Sequence, residues 1–195
     1  MTTSLDRPRC DWASGDPLLQ AYHDTEWGTP LHDDRLLFEF LCLEGAQAGL
    51  SWRTVLAKRE HYRKVFHRFE IARVAAMSDR ELERLLLDPG IIRNRLKVTA
   101  TRANAVAALE VIAEHGSLDG YLWSFVDGRP VRNHWPDRTA VPASTALSDR
   151  MSKTLRKRGF RFVGSTICYS LLQATGMVND HVTGCFRHAE CGRAS

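Results

Sequence analysis

Residues 36–43 are apolar on nearly every side of a helical wheel, the pattern of a helix that lies inside a protein. Asp33 or Asp34 is placed to cap its start and Gly49 to mark its end. Ser51 is placed to cap the next segment, where Trp52, Val55, Leu56, Tyr62, Val65 and Phe66 recur at helical spacing and predict one further helix. A short helix follows over 71–77. The run Ser78-Asp79-Arg80-Glu81 then reads as a capping box opening a helix over 81–87, which Pro89-Gly90 breaks. An alanine-rich helix should run from the 91–97 segment to about His115, where Gly116 stops it, and a shorter one should span 121–126. The longest loop, 127–142, carries three prolines and three arginines. Residues 147–158 read as a helix, basic on its exposed side and ended by Gly159. Residues 160–164 form a tight connection, and 165–175 a last long helix closed by Gly176. The first thirty residues are expected to be irregular apart from a short helix over 17–23. Without hairpins, repeats or low-complexity tracts, the expected fold is all-α.

Glu44 stands out in this pattern. It lies three residues after Leu41, four after Phe40 and seven after Leu37, so helical periodicity sets its carboxyl among buried side chains. A buried carboxylate needs a partner, a shifted pKa or a job. Gly45, Gly49, the small alanines and Ser51-Trp52 around it suggest a backbone that something approaches closely, beside an aromatic ring.

Composition adds an electrostatic face. The chain of 195 residues carries a formal charge of +4, but 127–161 alone holds nine basic and three acidic residues, a concentration suited to a polyanion. A second basic patch, Arg93, Arg95, Lys97 and Arg102, opens the alanine-rich helix. The first twenty residues contain no secretory h-region, and no segment reaches the length of a membrane span, so a cytoplasmic protein without membrane association is expected. In that compartment the five cysteines are buried thiols or metal ligands rather than disulfides.

Three constellations could carry chemistry. The segment 158–176, a basic helix end, a short apolar-glycine turn and a second helix, has the outline of a helix-hairpin-helix, which offers backbone N–H groups to a DNA phosphate. His181 and Cys185, four apart, would project from one face of a helix and could share a metal, with Cys10 and His23 as further ligand types and His188 and Cys191 competing for the role. Trp12, Tyr22, Trp27 and Trp52 crowd the first half with Glu44. Such a pocket of π faces, a phenol and a carboxylate suits a flat, nitrogen-rich ligand such as a purine.

Several blocks in one order then resemble a known family. Cys10-Asp11-Trp12, residues 21–28 (AYHDTEWG), Leu43-Glu44-Gly45 through Gly49-Leu50-Ser51-Trp52, Gly90-Ile91-Ile92-Arg93, residues 157–164 (KRGFRFVG), Ile167-Cys168-Tyr169-Ser170 and Val178-Asn179-Asp180-His181 are similar to the 3-methyladenine DNA glycosylase I family of the helix-hairpin-helix glycosylase superfamily. The match covers about 10–185. The resemblance implies a single glycosylase unit over 1–195, with base pocket and zinc ligands drawn from 10–52 and 178–185 and the helix-hairpin-helix at about 147–176. It implies a structural zinc ion joining the two chain ends through Cys10, His23, His181 and Cys185, a closed set with no open position for an activated water.

It further implies that Glu44 and Tyr22 hydrogen-bond a flipped base, Trp52 stacks on it, and Trp12 and Trp27 form walls. Leu50, with Gln47 beside it, is the natural wedge into the duplex. Arg158, Gly159, Arg161, Gly164 and Ser165 would meet the DNA backbone. Bifunctional relatives carry a lysine just after the hairpin glycine, whereas Ser165 and Thr166 follow Gly164 here, so a monofunctional N-glycosylase acting on double-stranded alkylated DNA, monomeric and without an obligate protein partner, is expected. A non-enzymatic DNA-binding module would have no use for the pocket cluster, and a zinc hydrolase would need an open metal position. Three departures bear on the site. Leu19 stands where an aromatic is frequent, Phe162 where hairpins often have glycine, and the superfamily's usual catalytic aspartate has no secure counterpart, Asp180 adjoining the ligand His181.

Overall fold

The computed structural model describes residues 7–191 and is mostly helical. After a 3-10 turn at Asp11–Ala13, α1 spans Pro17–Thr25, with Pro at its first position and Asp16 accepting from the Leu18 and Leu19 amides at 2.9 and 3.3 Å. The central helix α2 spans Asp34–Gln47, capped by Asp33. Leu37, Phe38, Leu41 and Leu43 on it are fully buried, as its apolar run foretells. The helices α7 (Arg95–His115), α8 (Leu118–Trp123) and α10 (Ser165–Ala174) pack around it. The short helices α5 (Ile71–Ala75) and α6 (Asp79–Leu85) lie along α7, and the Ser78–Glu81 capping box is present. Helix α9 (Ala146–Lys157) packs against α10 across the turn 158–164, and α11 (Phe186–Glu190) follows near the end.

Three expectations need correction. The single helix after Ser51 is two, α3 (Trp52–Leu56) and α4 (Arg59–Val65), and the break turns Arg59 inward to meet Glu39 and Glu26, each at 2.6 Å. The fold is not purely helical. Within the long loop, β1 (Val131–Arg132) pairs in parallel with β2 (Val178–Asn179), tying the loop to the segment that leads to His181. The second basic patch is largely consumed. Arg95 pairs with Glu83, Arg102 with Asp79 at 2.7 Å, and the Lys97 ammonium donates to the Ala46 and Ala48 carbonyls at 2.8 and 2.6 Å. Lys97 thus closes the C-terminal end of α2.

The turn between α9 and α10 is docked on two sides. Asn104 of α7 accepts from the Arg161 amide at 2.7 Å and donates to the Arg161 carbonyl at 3.1 Å. Phe162 takes φ +54°, a left-handed conformation that explains why hairpins of this kind favour glycine there. Gly45 of α2 lets it sit close, since a Cβ at Gly45 would stand 3.1 Å from the Phe162 Cβ. The helix that carries Glu44 and the hairpin are therefore seated against each other.

Candidate active site

The penultimate turn of α2 places Glu44 at the floor of a cavity of about 420 Å³. Tyr22 from α1 and Trp52 from the start of α3 face it, with ring centroids 5.4 Å apart, and Phe40 stacks behind Trp52 at 6.5 Å. Trp12 and Trp27, edge to face at 5.0 Å, form another wall. Leu19 and Gln47 also line the space, so at Leu19 the wall is aliphatic rather than aromatic.

The polar atoms of this cavity are its distinctive feature. Among the described residues five buried side-chain nitrogen or oxygen atoms have no hydrogen-bond partner, and three of them, Tyr22 Oη, Glu44 Oε2 and Trp52 Nε1, belong to this one cavity. A buried polar atom without a partner costs about 1–3 kcal/mol, so three together are an expense that a ligand would offset. Burial raises the Glu44 carboxyl to about 8. Burial first, then the neighbouring Glu44 charge, pushes the Tyr22 phenol well up, so it stays a neutral donor.

A second chamber of about 260 Å³ adjoins the first across Trp12, Trp27 and Gln173. Asp180 lines it, buried and fully engaged. One oxygen accepts from Asn133 Nδ2 at 2.7 Å and Trp135 Nε1 at 2.8 Å, the other from Gln173 Nε2 at 2.7 Å and the Tyr169 hydroxyl. A carboxylate holding four donors is an anchor for the loop and α10 rather than a free base. The amide of Gln173 is fixed by this bond, which turns its carbonyl away from Asp180. Arg138 borders both chambers. Neither Gln173 nor Arg138 was singled out by the sequence. Gln173 looks like any polar residue on a helix, and Arg138 like one more charge in a loop.

Behind Trp27 the chain ends meet. Cys10, His23, His181 and Cys185 are all buried, and their ligand atoms lie within 4.8 Å of one another. The Sγ–N separations are 3.6 Å for Cys10–His181, 3.4 Å for Cys185–His23 and 3.5 Å for Cys185–His181. Tetrahedral zinc bonded to sulfur and imidazole requires edges of about 3.5 Å, so the donor set fits the ion. The far ring nitrogens are held as metal-ligating histidines require. His23 Nδ1 meets Asp24 at 2.8 Å and His181 Nε2 donates to the Trp27 carbonyl at 3.0 Å. Arg9 in turn grips Asp24 at 2.8 Å. The Cys185 thiol is held well below its usual range, chiefly by hydrogen bonding from Cys10, then by the two imidazoles, so the site already favours a thiolate. His181 and Cys185 do not share a helical face. Cys185 follows a turn in which its amide bonds the Val182 carbonyl at 2.8 Å, and it caps α11. His188 instead bonds the Asn133 carbonyl at 2.8 Å, and Cys191 is a separate buried thiol.

The hairpin residues are divided. Arg158 is committed to Glu114 at 2.9 Å and lies 5.5 Å from the Tyr121 ring centre. The Ser165 hydroxyl is engaged with Asp149 and Ser148 at 2.5 and 2.8 Å. Gly159 takes φ +89°, and Gly164 precedes α10, whose first turn has no side-chain cap. The Arg161 side chain carries no ion pair among the described residues. Leu50 stands 41% exposed at the tip of the turn after α2, where its amide bonds the Gln47 carbonyl at 2.6 Å.

Comparison with known proteins bears on this geometry. The family model described as methyladenine glycosylase matches residues 12–188. DNA-3-methyladenine glycosylase 1 of Escherichia coli (strain K12) is 53% identical over 177 residues, covering 91% of this chain and 95% of that protein. A crystal structure of 3-methyladenine DNA glycosylase I (TAG) superposes with a TM-score of 0.90 at 55% identity, covering 92% of this chain and 98% of that one. A variant of 3-methyladenine DNA glycosylase I solved in complex with 3-methyladenine gives a TM-score of 0.90 at 33% identity, covering 95% and 98%. With nearly the whole length matched in sequence and in fold, the chain belongs to the methyladenine glycosylase family.

Proposed function

We propose that this protein acts in base-excision repair, hydrolysing the N-glycosidic bond of 3-methyladenine in alkylated DNA and leaving an abasic site. The observation that carries the reading is the convergence of three unpartnered buried atoms, Tyr22 Oη, Glu44 Oε2 and Trp52 Nε1, in one aromatic cavity. The flipped base would lie on Trp52, with Trp12 and Trp27 as walls, and stacking contributes about 1–3 kcal/mol per base. Glu44 accepts from the base's N–H edge, and Tyr22 donates its phenol proton. Burial keeps the Glu44 carboxyl protonated in the empty cavity, and an entering cationic alkylated purine would favour its ionisation, an attraction in this water-poor space that neutral adenine cannot offer.

The substrate's own charge makes the bond labile. As C1′–N9 breaks, its electron pair stays on the purine, which leaves as neutral 3-methyladenine without needing an acid. Water adds its oxygen to C1′ and its proton passes to solvent. The chain's work is to hold the base and orient the sugar. No lysine follows Gly164, which supports a monofunctional reaction. The four engaged donors of Asp180 support its reading as a structural group.

Double-stranded DNA would be held by the α9–α10 hairpin, read as a helix-hairpin-helix. Gly164 and the open first turn of α10 would present backbone N–H groups, and Arg161, Lys153 and Arg156 add charge, whereas the Gly159 N–H is taken by the Arg156 carbonyl at 3.1 Å and that residue would serve by its close-fitting backbone alone. Arg158 and Ser165 hold bonds within the fold, to Glu114 and to Asp149 and Ser148, and would reach the DNA backbone by exchanging them. Leu50, with Gln47 behind it, would fill the space the base vacates. Zinc held by Cys10, His23, His181 and Cys185 would supply structure alone, joining the chain ends behind the pocket. No helix among the described residues is long and apolar enough to cross a membrane. Incubation with methylated duplex DNA should release 3-methyladenine and leave alkali-labile sites. Intact glycosidic bonds after prolonged incubation, or a lysine adduct trapped by borohydride, would contradict the reading.

A further inference from the structure

Arg138 sits at the mouth of the base cavity on a stiffly held loop. It opens a 3-10 turn, Arg138–Ala140, that Asp137 caps by accepting from the Thr139 amide at 2.8 Å. Upstream, the loop is fastened by the β1–β2 pair, by the Asn133 amide on the Asn179 carbonyl at 3.2 Å, and by the Trp135 carbonyl, which accepts from the Thr183 amide at 2.9 Å. Its side chains Asn133 and Trp135 both end on Asp180, whose other oxygen holds Tyr169 and Gln173 of α10. One buried carboxylate therefore ties the loop to the helix that the hairpin leads into. The backbone that carries Arg138 is thus already ordered, so a ligand gripped there need immobilise only the side chain.

Its charge is also uncommitted. Two arginines border the base cavity, Arg53 and Arg138. Arg53 is bonded to Asp16, whereas Arg138 has no ion pair among the described residues and borders both chambers. Arg132, on the same loop, is turned to His188 at 3.1 Å. A nucleotide whose base enters the cavity must leave its sugar and flanking phosphates at the mouth, and a planar guanidinium there can grip two phosphate oxygens at once.

We propose that Arg138 binds the DNA phosphate flanking the extruded nucleotide, a backbone contact separate from the hairpin that holds the sugar over the junction of the two chambers. The proposal rests on the base-extrusion reading above. The test is binding of a duplex carrying a tetrahydrofuran abasic-site analogue, followed by fluorescence anisotropy across a salt series. Arg138→Ala should weaken binding about 5- to 20-fold at low salt and lower the salt slope by about one. Arg138→Lys should keep the slope and recover part of the affinity. Arg129→Ala, a charge-matched change on the same loop away from both chambers, should cost no more than about twofold. Binding of free 3-methyladenine, read by tryptophan quenching, should be the same in all four proteins. Wild-type affinity and slope in Arg138→Ala, or an equal loss in Arg129→Ala, would overturn the proposal. Failure of the wild-type protein to bind the free base would instead count against the base-recognition reading.

Discussion

Two carboxylates on one helix, five residues apart, are both buried and have opposite surroundings. Glu39 is 0% exposed and fully answered, by Arg59 Nε at 2.6 Å and by Arg63 Nη2 and Nε at 2.8 and 2.9 Å. Glu44 is 3% exposed, and its buried Oε2 has no partner. Position on a helix and depth of burial therefore do not separate a structural acid from a binding one. What separates them is whether the fold supplies the opposite charge. For Glu39 it does, by breaking the chain between α3 and α4 so that Arg59 turns inward. For Glu44 it leaves the place open, and under the proposed function a purine made cationic by alkylation would carry the charge that is missing. The Cys10, His23, His181 and Cys185 cluster would belong with Glu39 in kind, a polar set completed by the proposed zinc ion.

The contrast predicts opposite responses to substitution. The largest effect is expected at the metal cluster, where Cys185→Ser or strong chelation should release one zinc per chain and destabilise the protein by upward of about 5 kcal/mol. Elemental analysis and thermal unfolding measure this, and a metal-free wild type of undiminished stability would remove the cluster from the account. Next, Glu39→Gln leaves the buried Arg59 with Glu26 as its remaining carboxylate and the part-exposed Arg63 with Glu60, and should cost about 3 kcal/mol in denaturant unfolding, the lower end for breaking a buried pair. Excision per folded molecule should be retained.

Glu44→Gln should act the other way on stability. The folded-state pKa of Glu44 lies near 8, above its unfolded value, so the folded chain holds a proton that the unfolded one releases. Its penalty is absent below the ordinary carboxylate range, grows as pH rises from there, and is complete above about 8. The variant should therefore gain stability over the wild type as pH increases from 5 to 9, on the order of 1–3 kcal/mol at the upper end. Equal unfolding curves at pH 5 and pH 9 would mean that Glu44 is solvated or already paired.

Much of this was legible along the chain for local reasons. The apolar wheel of α2, the caps at Asp33, Ser51 and Ser78, and the stop at Gly116 depend on neighbours within a few residues. The depth of Glu44 followed from the same periodicity. What could not be read depends on partners far away in sequence. Glu39 looked like one polar residue in an apolar run because Arg59 and Arg63 reach it only after a break that helical spacing does not foretell. The residues Arg95, Lys97 and Arg102 looked like a second basic patch until Glu83, Asp79 and the end of α2 took up their charges. The pairing of Arg158 with Glu114 could not be read, for the same reason. Arg138 emerged only because Asp180, more than forty residues on, pins its loop beside the cavity. The four proposed metal ligands lay in view as residue types, but their grouping came from family resemblance and the closeness of their donor atoms from the fold.

The central claim is that the unanswered polarity around Glu44 is a reader of the alkylated base. Calorimetric titration of 3-methyladenine and adenine into the wild type and Glu44→Gln tests it most directly. The wild type should prefer 3-methyladenine, and Glu44→Gln should lose at least about tenfold of that affinity, close to 1.4 kcal/mol, while weak adenine binding changes little. Equal affinity of the two proteins for 3-methyladenine would contradict the claim.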